Sequence, residues 1–188
     1  MKRYLFSFTL IILSNICFAQ TNNVETKLKD DIKSGLTERP KLVVGIVVDQ
    51  MRYDYLTRFE DKYGNGGFMR MITKGYNCKN THYNYIPTYT GPGHASVYTG
   101  TTPKYHGVIS NNWYSKVDKE TVYCAGDEDV NSVGTDADAG KMSPHRMLTT
   151  TFADENKLFT QMRGKTIGIA IKDRGAILPA GHTANAAY

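Results

Sequence analysis

The chain has 188 residues and a formal charge of +5, two units of which belong to Lys2 and Arg3. Its other basic residues are interspersed with acidic ones, which excludes a nucleic-acid-binding footprint, and the length suffices for one domain with a real core. Residues 1–19 read as a secretory signal peptide: Lys2 and Arg3 precede an apolar run that ends in Cys17-Phe18-Ala19, a small-residue pattern for cleavage after Ala19. The run is too short for a bilayer span and nothing comparable follows it, so the mature protein is expected to be periplasmic or secreted, with no membrane association after cleavage. Asn15 and Ile16 do not form the small-residue site that lipidation of Cys17 would need. Once Cys17 leaves with the signal, Cys78 and Cys124 remain, an even pair that reads as one disulfide in an oxidising compartment. With no CxxC and no neighbouring His pair, these cysteines do not read as zinc ligands.

Residues 20–40 are polar and charged and read as a flexible tail; the folded domain is expected from Lys41 to Tyr188. KLVVGIVVD, residues 41–49, is a nearly unbroken β-branched run of the kind buried on both faces in a parallel α/β sheet. From Gln50 to Lys74 the apolar spacing predicts two short helices broken at GNGG. YNCKNTHYNY, residues 76–85, predicts a strand, and IPTYTGPGHASVYTG, residues 86–100, turns through Pro87, Gly91, Pro92 and Gly93 into the short helix HASVYTG. NWYSKVDKETVYC predicts a hairpin turning at Val117 to Glu120, followed by an acidic loop. Ser143 and Pro144 then suggest the N-cap and first residue of a helix that ends before Gly164. KTIGIAI, residues 165–171, reads as a second buried strand ending in Lys172, Asp173 and Arg174. The series is α/β, and in such sheets ligands gather at the carboxyl ends of the strands.

Three motifs imitate function without its context. RGKT, residues 163–166, lacks the upstream glycine of a phosphate-binding loop and opens a strand rather than a helix. Asp127, Asp129 and Asn131 begin like a calcium loop, but Ser132 and Asp138 replace its glycine and its final glutamate. GNGG has neither the setting nor the spacing of a dinucleotide fingerprint.

Four positions carry better chemistry. Asp49 ends a buried-type strand, where a carboxylate serves either as a metal ligand or as the N-cap of the next helix. Thr90 lies at the turn into a helix, where free backbone N–H groups and the dipole stabilise an anion; it is the best nucleophile in its stretch, unless it is an ordinary cap. Lys172 and Arg174 alternate about Asp173, so a continuing strand would aim both at one face, a pairing that suits a dianionic phosphate. A solvated strand end is the alternative for that pair. His94 and His182 suit packing or capping as well as ligation.

Taken together, VVDQMRYDYL, NYIPTYTGPGHASVYTGTTPKYHGVISNNWY and IAIKDRGAILPAGH resemble the alkaline phosphatase superfamily. The particular likeness is to the phosphate-irrepressible periplasmic alkaline phosphatases, relatives of the type I phosphodiesterase/nucleotide pyrophosphatase family. The resemblance implies an α/β, alkaline-phosphatase-like fold with a mostly parallel central sheet flanked by helices, of which this chain would be the N-terminal portion. It also implies a two-zinc site with Asp49 as a ligand, and Thr90 as both zinc ligand and phosphorylated nucleophile. Asn111, chosen over Asn112 on the family's spacing, would donate to a phosphoryl oxygen, while Lys172 and Arg174 would hold the others; Thr88, Ser96 and Thr99 would be structural. The expected reaction is hydrolysis of small phosphate monoesters through a phosphothreonine, with phosphodiester hydrolysis or a catalytically inactive phosphate-binding domain as alternatives. The family's remaining zinc ligands fall outside this sequence, so the piece alone is expected to be inactive.

Overall fold

The computed structural model describes residues 40–188; the expected signal peptide and the expected tail, up to residue 39, lie outside the described residues. Two units divide the chain after Ile46. The described part of the first is a short segment with no assigned helix or strand, with Leu42 and Ile46 exposed. In the second unit the apolar run continues through Val48 to Asp49. Its β-branched side chains favour extended backbone, but a strand needs a neighbour for its ladder. The predicted strand over 41–49 accordingly has no assigned pairing among the described residues. The chain turns sharply after Asp49, with Gln50 in the left-handed region at φ 60°.

Two short helices follow as expected, α1 (Tyr55–Arg58) and α2 (Gly67–Lys74), separated by a 3-10 turn at Glu60–Lys62 and the glycines. Aromatic pairs tie them, with centroid distances of 5.4 Å for Tyr55–Phe59 and for Tyr63–Phe68, and the Tyr63 hydroxyl donates to the Tyr55 carbonyl. The strand predicted over 76–85 is a loop instead. Its tyrosines brace the next helix: the Tyr85 hydroxyl donates to the Pro92 carbonyl at 3.0 Å and bonds Ser96 at 2.6 Å.

Helix α3 (Thr90–Thr99) ends at Gly100, whose φ of 68° is the left-handed C-terminal cap that glycine adopts without strain. A single turn, α4 (Pro103–His106), has its proline in the first turn, where no donor is lost to the helix. The predicted hairpin forms from β1 (Asn112–Ser115) and antiparallel β2 (Glu120–Tyr123), with Trp113 opposite Val122.

Ser143 does not start a helix. Its hydroxyl bonds Asp127 and accepts from the His145 N–H, and only a turn forms, with the Met147 N–H on the Pro144 carbonyl. The helix, α5 (Phe152–Phe159), begins nine residues later, where Thr151 and Asp154 make a reciprocal capping box. KTIGIAI shortens to β3 (Ile167–Gly168), parallel to β4 (Ala186–Ala187) with α6 (Asp173–Ala180) between them. This strand–helix–strand unit is the α/β element expected, and the only parallel pairing among the described residues. Beyond it Ile169 and Ile171 are 78% and 106% exposed.

The core joins Ala95 of α3, Val108, Cys124, Ala125, Met147 and Leu178 of α6, flanked by Trp113 and Tyr123. Helix α6 also packs against β3 so closely that a Cβ at Gly168 would collide with the Ala176 carbonyl. The expected disulfide is absent: Cys78 is exposed on its loop, while Cys124 is buried in the core, and both are free thiols. Among the described residues no helix is long and apolar enough to cross a membrane.

Candidate active site

Helix α3 supplies the centre of the site. Its N-cap residue, Tyr89, makes no side-chain capping bond, and Pro92 removes one donor from the first turn. The Gly91 N–H is satisfied from outside the helix, by the Asn111 side-chain oxygen at 2.7 Å. That bond orients the amide so that its nitrogen remains a donor. Asn112, by contrast, is exposed in β1 opposite Tyr123, and Asn111 is the one of the adjacent pair that meets α3. The fit is close: a Cβ on Gly91 would sit 3.1 Å from both Asn111 Oδ1 and Cys124 Sγ. The buried thiol of Cys124, its pKa pushed up to about 11 chiefly by burial, forms part of this floor.

Thr90 is the first residue of α3 and does not cap it. Its hydroxyl donates to Asp49 Oδ2 at 3.2 Å, and its carbonyl accepts from the buried His94 Nδ1 at 2.8 Å. Asp49 caps no helix either, since α1 begins at Tyr55 after Asp54. The Lys172 ammonium reaches the same Asp49 oxygen at 3.2 Å. Burial tends to raise the Asp49 pKa, but the bonds from Lys172 and Thr90 and the lysine's charge outweigh it and hold the carboxyl below its ordinary value.

The sequence places Lys172 and Arg174 on one face of a continuing strand, which the structure does not support. β3 has ended, Lys172 is the N-cap of α6, and Arg174 lies in that helix's first turn. The two therefore diverge, Lys172 to Asp49 and Arg174 to Tyr123, whose hydroxyl accepts from Nη1 at 2.8 Å. The Arg174 Nε is buried with no hydrogen-bond partner. Sequence reasoning missed Tyr123; its only signal was its place at the end of the predicted hairpin. His182 takes no part at this centre, and its backbone N–H bonds Asp154.

A metal fit can be judged from the oxygens. With metal–oxygen bonds of about 2.0 Å, the edge of a tetrahedral zinc site is about 3.3 Å, and Asp49 Oδ2 and Thr90 Oγ1 stand 3.2 Å apart. These two oxygens fit one edge of such a site. Among the described residues no group of three or more His, Cys, Asp or Glu side chains could hold a metal, so further ligands would have to come from elsewhere.

Comparison with known proteins brings this arrangement into a family. Residues 43–187 match the family described as type I phosphodiesterase / nucleotide pyrophosphatase. The chain is 48% identical over 170 residues to alkaline phosphatase PhoV of Synechococcus elongatus, covering 90% of this chain and 31% of that protein. It is 49% identical over 151 residues to a Myroides odoratus protein named calcium-transporting ATPase, covering 80% and 28%. Alkaline phosphatase PafA of Elizabethkingia meningoseptica is 48% identical over 157 residues, covering 83% of this chain and 29% of that protein. Its crystal structure superposes with a TM-score of 0.78 over 80% of this chain and 29% of that one. A second PafA structure, with a threonine, an asparagine, a lysine and an arginine replaced, matches at the same TM-score with 46% identity. The chain thus spans under a third of these relatives and shares its fold with that portion of PafA. It belongs to the type I phosphodiesterase / nucleotide pyrophosphatase family.

Proposed function

We propose that the complete protein hydrolyses phosphate monoesters by transferring the phosphoryl group to Thr90 and then to water. The observation that carries this is the convergence, at the first turn of α3, of the Thr90 hydroxyl and the Lys172 ammonium on one oxygen of Asp49, each at 3.2 Å. Asp49 accepts the hydroxyl's hydrogen bond and so aims its lone pairs away from the carboxylate. The helix N-terminus favours the anion that the hydroxyl becomes. Asn111, held by the Gly91 N–H, offers its amide nitrogen to a phosphoryl oxygen, and Arg174 offers the guanidinium donors that Tyr123 does not take. The four residue types replaced in the PafA variant occur here in the same order at Thr90, Asn111, Lys172 and Arg174, and its threonine and asparagine are separated as Thr90 and Asn111 are.

Zinc, held by Asp49 and Thr90 together with ligands beyond the described residues, would supply Lewis-acid activation of the hydroxyl and of the leaving oxygen. Lys172 and Arg174 favour a dianionic monoester over a monoanionic diester, because each cation gains more from the extra charge. The diester reading draws on a different observation: while Lys172 remains paired with Asp49, only Arg174 of these two cations is left for the phosphoryl group. Export belongs to the proposal too, and N-terminal sequencing of secreted protein should begin at Gln20.

Exposing the full-length protein to a labelled monoester, quenching in acid and mapping the label tests the chemistry. Label on Thr90, lost in Thr90→Ala, is the expected result. Label retained at another residue would refute the assignment, and phosphate binding without any label would leave an inactive binding domain.

A further inference from the structure

Resting on the phosphate-site reading of Arg174, we infer that Tyr123 is a positioning residue, holding the Arg174 guanidinium in the orientation that meets a phosphoryl group. The phenol links two neighbours in sequence that would otherwise be free to turn apart. It donates to Asp173 Oδ1 at 2.6 Å and accepts from Arg174 Nη1 at 2.8 Å. Asp173 is itself fixed by the Arg174 backbone N–H, which donates to the same carboxylate oxygen at 2.7 Å. The carboxylate and guanidinium do not bond each other directly, since Nη1 stands 3.9 Å from Oδ1; the hydroxyl bridges the gap.

The bridge is anchored at its base. Tyr123 ends β2, packs against the core beside the buried Cys124, and carries the guanidinium 5.8 Å from its ring centre. Arginine has a planar fork of five donors, and its value to an anion depends on the plane in which that fork is held. With Nη1 committed to the phenol and Nε buried without a partner, that plane is set while other donors stay available. Burial and the hydrogen bond to Asp173 push the Tyr123 pKa up to about 12, so the hydroxyl remains a proton donor to the carboxylate throughout the range in which an enzyme is assayed.

The experiment is a double-mutant cycle in the full-length protein, using Tyr123→Phe, Arg174→Ala and both together. The readouts are inhibition by inorganic phosphate and kcat/KM for one monoester and one diester. Phenylalanine keeps the ring and its packing and removes only the hydroxyl. Tyr123→Phe alone is expected to weaken phosphate inhibition and monoester kcat/KM by about 10-fold, the size of one charge-assisted hydrogen bond, with a smaller loss on the diester. In the Arg174→Ala background the same change should add less than about 2-fold. Asp173→Asn, which leaves a weaker acceptor of similar size, should give a milder loss that is also suppressed by Arg174→Ala. Losses of equal size in both backgrounds would overturn the positioning role and leave the phosphate-site reading intact. Arg174→Ala without effect on phosphate inhibition would overturn both.

Discussion

Replacing Lys172 by alanine tests whether the site counts substrate charge. The ammonium lies 3.2 Å from Asp49 Oδ2, with the lysine and aspartate side chains 43% and 33% exposed. Two unit charges about 4 Å apart near a protein surface interact by about 4 kcal/mol at an effective dielectric of about 20. Exposure of this order and ordinary salt reduce that to about 1 kcal/mol for each unit of charge on the partner. A diester carries one such charge at the phosphoryl group and a monoester two, so Lys172→Ala should lower kcat/KM about 5-fold for the diester and about 30-fold for the monoester. The loss on the monoester is therefore the square of the loss on the diester, whatever the absolute dielectric. Initial-rate assays of both ester types in the full-length protein, at two ionic strengths, provide the comparison, and both losses should shrink at higher salt. Equal fold-losses on the two substrates would refute the reasoning and assign Lys172 to holding Asp49 in place.

Other expectations follow from single contacts. Gly91→Ala forces a Cβ to 3.1 Å from Asn111 Oδ1 and Cys124 Sγ, whereas at Gly93 the nearest atom would be an ordinary 3.8 Å away; phosphate inhibition should weaken about 10-fold in the first variant and under about 2-fold in Gly93→Ala. Asp154 is buried and accepts bonds from the N–H and hydroxyl groups of both Thr151 and Thr183, so Asp154→Asn should destabilise the protein by about 3 kcal/mol, read by denaturant unfolding. Burial raises the Asp154 pKa, but these bonds outweigh it and hold it below the ordinary 3.8; its stabilisation is full above 3.8 and is lost as pH falls through the lower folded value. The buried His106 accepts the Val108 N–H on Nδ1 and meets Ser96 through Nε2, and burial depresses its pKa below 6.5. Melting temperature should consequently fall as pH drops below 6.5 toward that value, and His106→Gln should flatten this part of the profile.

The candidate site's geometry was legible where a residue type and a turn coincide. Thr90 at the entry to α3, with glycines on both sides of Pro92, needed only local rules, and so did the hairpin and the glycine-broken helices. Asp49 was readable from its place at the end of an apolar run, although the strand itself has no partner among the described residues. Errors arose where local signals compete. Ser143-Pro144 looks like a helix start, but Asp127 takes the serine hydroxyl, and the true start at Thr151-x-x-Asp154 carries the stronger reciprocal cap. Lys172 and Arg174 alternate on one face only if the strand continues, and the chain has already become helix at Asp173, so the two side chains meet different partners, Asp49 and Tyr123. The role of Tyr123 depends on a contact across 50 residues of sequence, and the two thiols stay apart because one sits on an exposed loop and the other in the core; periodicity encodes neither.

The short β3 strand has a practical consequence. β4 occupies one of its edges, and no strand covers the other among the described residues, while Ile167, Ile169 and Ile171 are exposed at alternate positions. An uncovered edge flanked by isoleucines is a template for another chain. Expressed alone, residues 41–188 should therefore collect in inclusion bodies, and lysine at Ile169 and Ile171 should move them into the soluble fraction without altering the α3–α6 packing.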